Sequence, residues 1–253
     1  MAALSHHRNP SQLLYELLPA PWNANSDKFR SKLVEENVSK IGFLRHGQTA
    51  KSQGIDFDRL LTDYGRMQAH IAGSSFGKEL KPFYCSILCS PAPRTVETAK
   101  IFLDSSGETR NLVTPEILYD GTMQPMGSEL FKTIGYAPLE DYLNHPDKTL
   151  RTDARKVLGA YSHSVVSTIF NEVSNKHDID YHDGASDSSA SSTLWMVGHA
   201  IYLPAVALGV ASLLGCNDCG VILQSNTKEA EGYLIDVHSS SATYISRPTN
   251  CQI

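Results

Sequence analysis

The stretch Lys40-Ile41-Gly42-Phe43-Leu44, followed without a break by Arg45-His46-Gly47-Gln48-Thr49, decides how the rest of the chain is read. KIGFL is an apolar run of strand length, and it ends on a cation, a titratable ring and a glycine. Downstream, apolar runs alternate with helical patterns. YCSILCS (Tyr84 to Ser90) reads as a strand, PAPRTVETAKIFL as a helix and NLVTPE as a short strand. A long helix is expected from about Pro146 to Lys176, then a buried strand TLWMVG and an apolar helix LPAVALGVASLLG. The closing runs GVILQS, EGYLIDV and ATYIS read as two or three strands that follow one another without intervening helices. Strands separated by helices predict a mostly parallel sheet covered on both faces, and the closing strands predict an antiparallel edge.

Upstream of Lys40 the chain is polar and reads as irregular, with LLYELL as its one helical fragment. Residues 1–38 are therefore expected to be an N-terminal extension, and residues 39–253 a single domain. Between the first two strands, LTDYGRMQAHIAGSSFGKEL reads as a helix with a stripe of Met67, Ile71 and Phe76 beside Ala69 and Ala72. HDGASDSSASS is flexible by composition.

The 253 residues carry a formal net charge of −5, which favours neither a nucleic-acid nor an anionic-membrane partner. An anionic ligand then requires a local positive pocket. No apolar run has the length of a membrane span, and the first residues lack the regions of a secretory signal, so a cytoplasmic location is the expectation. The five cysteines are an odd number in a sizeable chain and read as reduced thiols. Cys216 and Cys219 form a lone C-x-x-C, read as two partly buried thiols near a helix end rather than a metal or redox pair.

In open α/β sheets ligands gather at the carboxyl ends of strands. Arg45 and His46 follow KIGFL, Arg94 follows YCSILCS by about one helical turn, and His199 follows TLWMVG. If these strands are neighbours, two arginines and two histidines meet on one rim, and that set suits a tetrahedral dianion. Guanidinium groups bind phosphate oxygens bidentately and stay charged. A histidine attacks phosphorus through one neutral ring nitrogen when the other is held protonated, and a second histidine stabilises charge on a non-bridging oxygen. Ser90 reads as the N-cap of the helix carrying Arg94, and Gly47 as the residue that leaves His46 open to a phosphate.

FLRHGQT, LTDYGRMQA, SPAPRTVETA and WMVGHA, in that order over about residues 40–215, resemble the four motifs of the histidine phosphatase superfamily, which includes the phosphoglycerate mutases. The resemblance implies a three-layer α/β/α fold, a phosphohistidine intermediate on His46, and a phosphate pocket of Arg45, Arg94 and His199. It implies no cofactor and no metal requirement. It also implies a carboxyl general acid after the second arginine motif: Asp120 is favoured over Glu116, with Glu129 as a third candidate. Gln48, Thr49, Gly47, Ser90 and Arg59 are expected on the substrate side.

The region after the nucleophile motif, AKSQGIDFDR, lacks the Trp-Asn pair usual in the mutases, and their Glu-Gly acid segment is missing as well. DFDRLLTDYGRMQA is closer to the small phosphohistidine phosphatases. The expected activity is hydrolysis of a phosphorylated small molecule or phosphoprotein; a mutase-like phosphotransferase and a phosphate-recognising binding module are the alternatives. Oligomeric state is left open.

Overall fold

The computed structural model describes residues 17, 26–51, 55–119, 124–174 and 191–248. In chain order these form α1 (Ser26–Glu35), β1 (Val38–Arg45), α2 (Asp63–Ala72), β2 (Phe83–Cys89), α3 (Pro93–Ser106), β3 (Asn111–Val113), α4 (Gln124–Ile134), α5 (Leu139–Leu143), α6 (Lys148–Ser174), β4 (Ser192–Gly198), α7 (Tyr202–Leu213), α8 (Gly220–Gln224), β5 (Gly232–Asp236) and β6 (Ser241–Ile245). Short 3₁₀ turns at Asp56–Asp58 and Glu116–Tyr119, and a π-turn at Gly73–Gly77, complete the inventory.

The strands make one sheet in the order β3-β2-β4-β1-β5-β6. β3, β2, β4 and β1 are parallel, and β5 runs antiparallel to both β1 and β6. This is the expected mostly parallel sheet with an antiparallel edge. β1 and β4 are apolar on both faces because both faces are covered. Ile41 and Phe43 of β1, with Leu194 and Met196 of β4, enter one core against α1, α6 and α7. Leu44, Trp195 and Val197 enter the other, against Phe76 and α3. The period-two alternation thus feeds two cores, giving three layers. Gly42 pairs with Trp195 across the sheet, and a Cβ there would lie 2.4 Å from the indole ring.

Three elements differ from the sequence expectation. The stretch before Lys40, read as irregular, contains α1, whose Phe29 and Leu33 lie one turn apart and are both buried. GVILQS is not a strand: Gly220–Gln224 is helical, with Ile222 N–H and Leu223 N–H donating to the Cys219 carbonyl. A run of three apolar side chains, Val221 to Leu223, fits either period, and here burial of adjacent Ile222 and Leu223 decides for the helix. In α2 the buried face is small, formed by Gly65, Ala69 and Ala72 with Gln68, while Met67 and Ile71 are only half-buried.

Cys85, Cys89, Cys216 and Cys219 are free thiols, the last two buried between α7 and α8. Most of LLYELL, the Ser/Asp/Gly-rich stretch before Ser191, Asp120 and Cys251 lie outside the described residues. Among the described residues no helix is long and apolar enough to cross a membrane.

Candidate active site

Because β4 lies between β2 and β1, the carboxyl ends of all three strands are adjacent: Arg45 pairs with Gly198, and Cys89 with Val197. The next residue on each strand is His46, His199 and Ser90. Backbone bonds extend the ladder past the strand ends, with His46 N–H donating to Gly198 O at 3.1 Å and Ser90 N–H to Val197 O at 3.1 Å. The condition set by the sequence, that these strands be neighbours, is therefore met.

The two histidine rings approach edge to face, with centroids 5.3 Å apart. His46 Nδ1 lies 2.7 Å from the Gly47 carbonyl oxygen. A carbonyl only accepts, so Nδ1 carries the proton and Nε2 keeps its lone pair. His199 has the opposite tautomer. Arg94 Nη2, which only donates, sits 3.4 Å from His199 Nδ1, so the proton is on Nε2 and is donated to Ser90 Oγ at 2.8 Å. Burial pushes the pKa of His46 well below the ordinary 6.5, reinforced by His199, Arg45 and Arg94. His199 is depressed in the same way by burial and then by Arg94, Arg45 and Arg59.

Both arginines are buried and held at several points. Arg45 donates from Nη1 to Thr227 O at 2.6 Å, and from Nη2 to Tyr136 Oη at 2.9 Å and Glu229 Oε1 at 3.1 Å. Arg94 donates from Nη1 to Asp56 O at 2.5 Å and from Nη2 to Asp56 Oδ2 at 2.8 Å. The Nε–H groups of both are buried without a hydrogen-bond partner.

Arg45, His46, Arg94 and His199 line a cavity of about 440 Å³, together with Gln48, Thr49 and Arg59. Its charged lining is four cations, Arg45, Arg59, Arg94 and Lys132, against two carboxylates, Asp56 and Glu229. A locally positive pocket thus sits in a chain of net negative charge. Arg59 donates to Asp56 Oδ1 at 3.1 Å, to the Ala50 carbonyl and to Thr49 Oγ1. Partial burial raises the Asp56 pKa, but Arg94 and Arg59 outweigh it and hold the carboxyl below its ordinary range.

Gly47 and Ser90 do not line the cavity; they position what does. The N–H of Gly47 donates to Thr98 Oγ1 at 3.1 Å. A Cβ on Gly47 would lie 2.3 Å from Gly65 O, and one on Gly65 2.1 Å from Gln48 O. The glycine beside His46 is needed for contact between two backbones rather than for access of a phosphate. Substituting Gly65 by alanine, normally mildly favourable inside a helix, is expected here to destabilise by about 1–3 kcal/mol. Urea unfolding of the variant checks the sign. Ser90 is also not the helix cap: Ala92 takes that position without a side-chain bond, and Ser90 Oγ serves His199.

Of the carboxyl candidates, Asp120 lies outside the described residues. Glu116 is exposed on a 3₁₀ turn, and Glu129 is exposed and paired with Lys132; neither lines the cavity. Sequence reasoning missed Asp56, Glu229, Tyr119 and Tyr136. Tyr119 donates to Asp56 Oδ2 at 3.3 Å and sets its ring 5.4 Å from that of His199. Asp56 stands three residues before Arg59, and that spacing was its available signal; Glu229 had none. Among the described residues no three His, Cys, Asp or Glu side chains are grouped to hold a metal ion.

Residues 41–119 match the family described as the histidine phosphatase superfamily (branch 1). An acid phosphatase from Mycobacterium tuberculosis is 41% identical over 81 residues, which are 30% of this chain and 36% of that protein. The match thus spans about a third of the relative's length. Among solved structures, a phosphoglycerate mutase from Bacillus anthracis is 16% identical with a TM-score of 0.47, covering 83% of this chain and 94% of its own. A phosphoserine phosphatase from Entamoeba histolytica is 15% identical with a TM-score of 0.49, covering 85% and 99%. The segment that carries Arg45, His46 and Arg94 is thus similar to the histidine phosphatase superfamily over residues 41–119.

Proposed function

We propose that the protein is a phosphatase that hydrolyses a phosphomonoester or a protein phosphohistidine through a phosphohistidine on His46. The observation that carries this reading is the bond from His46 Nδ1–H to the Gly47 carbonyl, which leaves Nε2 as a neutral lone pair among two buried arginines. In the first step Nε2 bonds to phosphorus while the bond to the leaving atom breaks, the oxygen of an ester or the nitrogen of a phosphohistidine, and that atom takes a proton from the carboxyl donor. In the second, water gives a proton to the carboxylate left by the first step and bonds to phosphorus, the P–N bond breaks, and inorganic phosphate leaves with Nε2 neutral again. Arg45 and Arg94 bind the non-bridging oxygens; His199, a donor through Nε2, turns from Ser90 to an oxygen as charge develops. The resemblance implies a carboxyl proton donor after the second arginine motif, for which Asp120 is favoured over Glu116, and no metal requirement.

In this mechanism an entering phosphate displaces Asp56 from Arg94, exchanging one anion for another on the same guanidinium. Both histidine pKa values are lowered, so the neutral forms persist as pH falls through 6.5. The acid limb of kcat/KM, which reports the free enzyme, is expected below pH 6.5. Phosphate release from p-nitrophenyl phosphate across pH 4–8, with acid-quenched trapping of an acid-labile phosphoenzyme, tests the reading. An acid limb centred at or above 6.5, or turnover without a phosphoenzyme, sinks it.

A further inference from the structure

Resting on the phosphatase reading, we propose that the site takes the phosphate ester of a small molecule whose alcohol portion is bulky and apolar, preferably aromatic. Size is the first argument. At ~30 Å³ per water, a phosphate group occupies on the order of two to three water volumes. The cavity of about 440 Å³ therefore has most of its space left for the rest of the substrate. That volume falls in the range of clefts that enclose small organic ligands, roughly 300–1,000 Å³.

The second argument is how the lining is divided. The arginines and histidines that suit phosphate come from the strand ends, the Arg94 helix and the Asp56–Arg59 turn. The remaining wall, from α4, the loop after it and the entry to α7, offers Gly127, Ser128, Phe131, Tyr136, Ile201 and Tyr202. Its one cation is Lys132, already paired with Glu129. A phosphorylated sugar acid would need several donors for its hydroxyls and carboxylate, and among the described residues this wall adds to Lys132 only the Ser128 hydroxyl and those of its two tyrosines.

The third argument is the state of Tyr136. Its residue is 61% exposed, yet the ring is fixed. Its hydroxyl accepts from Arg45 Nη2, the Arg45 guanidinium carbon lies 5.0 Å from its centroid, and Phe131 meets it at 90° with centroids 4.8 Å apart. An exposed aromatic face held rigid beside a phosphate-binding arginine is a preorganised shelf, which lowers the entropy cost of stacking a ligand on it. Of the six exposed large hydrophobic residues among those described, Tyr136 is the one that lines the cavity.

The test compares ethyl phosphate with 2-phenylethyl phosphate, whose leaving alcohols are of similar acidity, so the pair differs in apolar contact. The expected kcat/KM is at least tenfold higher for the phenyl ester, in line with what apolar pockets discriminate. Phe131→Ala is expected to lower that ratio at least threefold, mainly through KM, with Phe131→Leu intermediate. A wild-type ratio near one overturns the inference whatever the variants do. So does a higher kcat/KM on 3-phosphoglycerate or on a phosphohistidine peptide than on 2-phenylethyl phosphate. Failure to turn over p-nitrophenyl phosphate at all defeats the phosphatase reading and this inference with it, whereas turnover with a flat ratio defeats this one alone.

Discussion

His46→Ala is expected to lower kcat on p-nitrophenyl phosphate by at least about 10⁴-fold, the scale of loss when a covalent nucleophile is removed. No other described group can take over. His199 presents a protonated Nε2, and its Nδ1 lone pair faces the Arg94 guanidinium. The acid-labile phosphoenzyme should vanish with the activity, while the folded state survives, because the ring contributes one edge contact and a bond to its own neighbour. Circular dichroism through the thermal transition separates loss of chemistry from loss of fold. A folded variant that retains a tenth of wild-type turnover would remove His46 from the nucleophile role.

Arg94→Ala is expected to cost about 10²–10³-fold in kcat/KM, as for loss of one strong donor to a developing anion. More than a charge disappears. The Asp56 carboxylate loses its closest ion pair and then faces the incoming dianion, and His199 Nδ1 loses its donor. Arg94→Lys restores charge but not the planar fork that reaches Asp56 and His199 together, so its rate should be intermediate. Asp56→Ala alone is expected to tighten inhibition by inorganic phosphate several-fold, because phosphate no longer displaces a carboxylate. In the Arg94→Ala background the same change should recover part of the lost affinity, and a double-mutant cycle on the phosphate inhibition constant measures that coupling. Additive single effects would show that Asp56 does not contest the site.

The strands of the sheet were legible because burial on both faces leaves continuous apolar runs of strand length, as in KIGFL and TLWMVG. The helix at Ser26–Glu35 was less legible: two apolar residues one turn apart make a thin stripe in a polar stretch. GVILQS was misread because three consecutive apolar side chains, Val221 to Leu223, carry too little periodicity to separate strand from helix. Within the site, Arg45, His46, Arg94 and His199 were visible since each directly follows a strand or begins the next helix. Asp56, Tyr119, Tyr136 and Glu229 were not, because loop residues become neighbours only when the chain closes on itself.

By itself the sequence determined which side chains stand at strand ends and that the sheet is mostly parallel, since both follow from local runs and their spacing. Tertiary structure decided the rest. Placing β4 between β2 and β1 brings residues more than a hundred positions apart onto one rim. The packed backbones of Gly47 and Gly65 turned an apparent concession to the ligand into a contact of the fold. The tautomers of His46 and His199, and with them which ring has a free lone pair in the cavity, are set by partners that only folding supplies: a carbonyl for one, a guanidinium and a hydroxyl for the other.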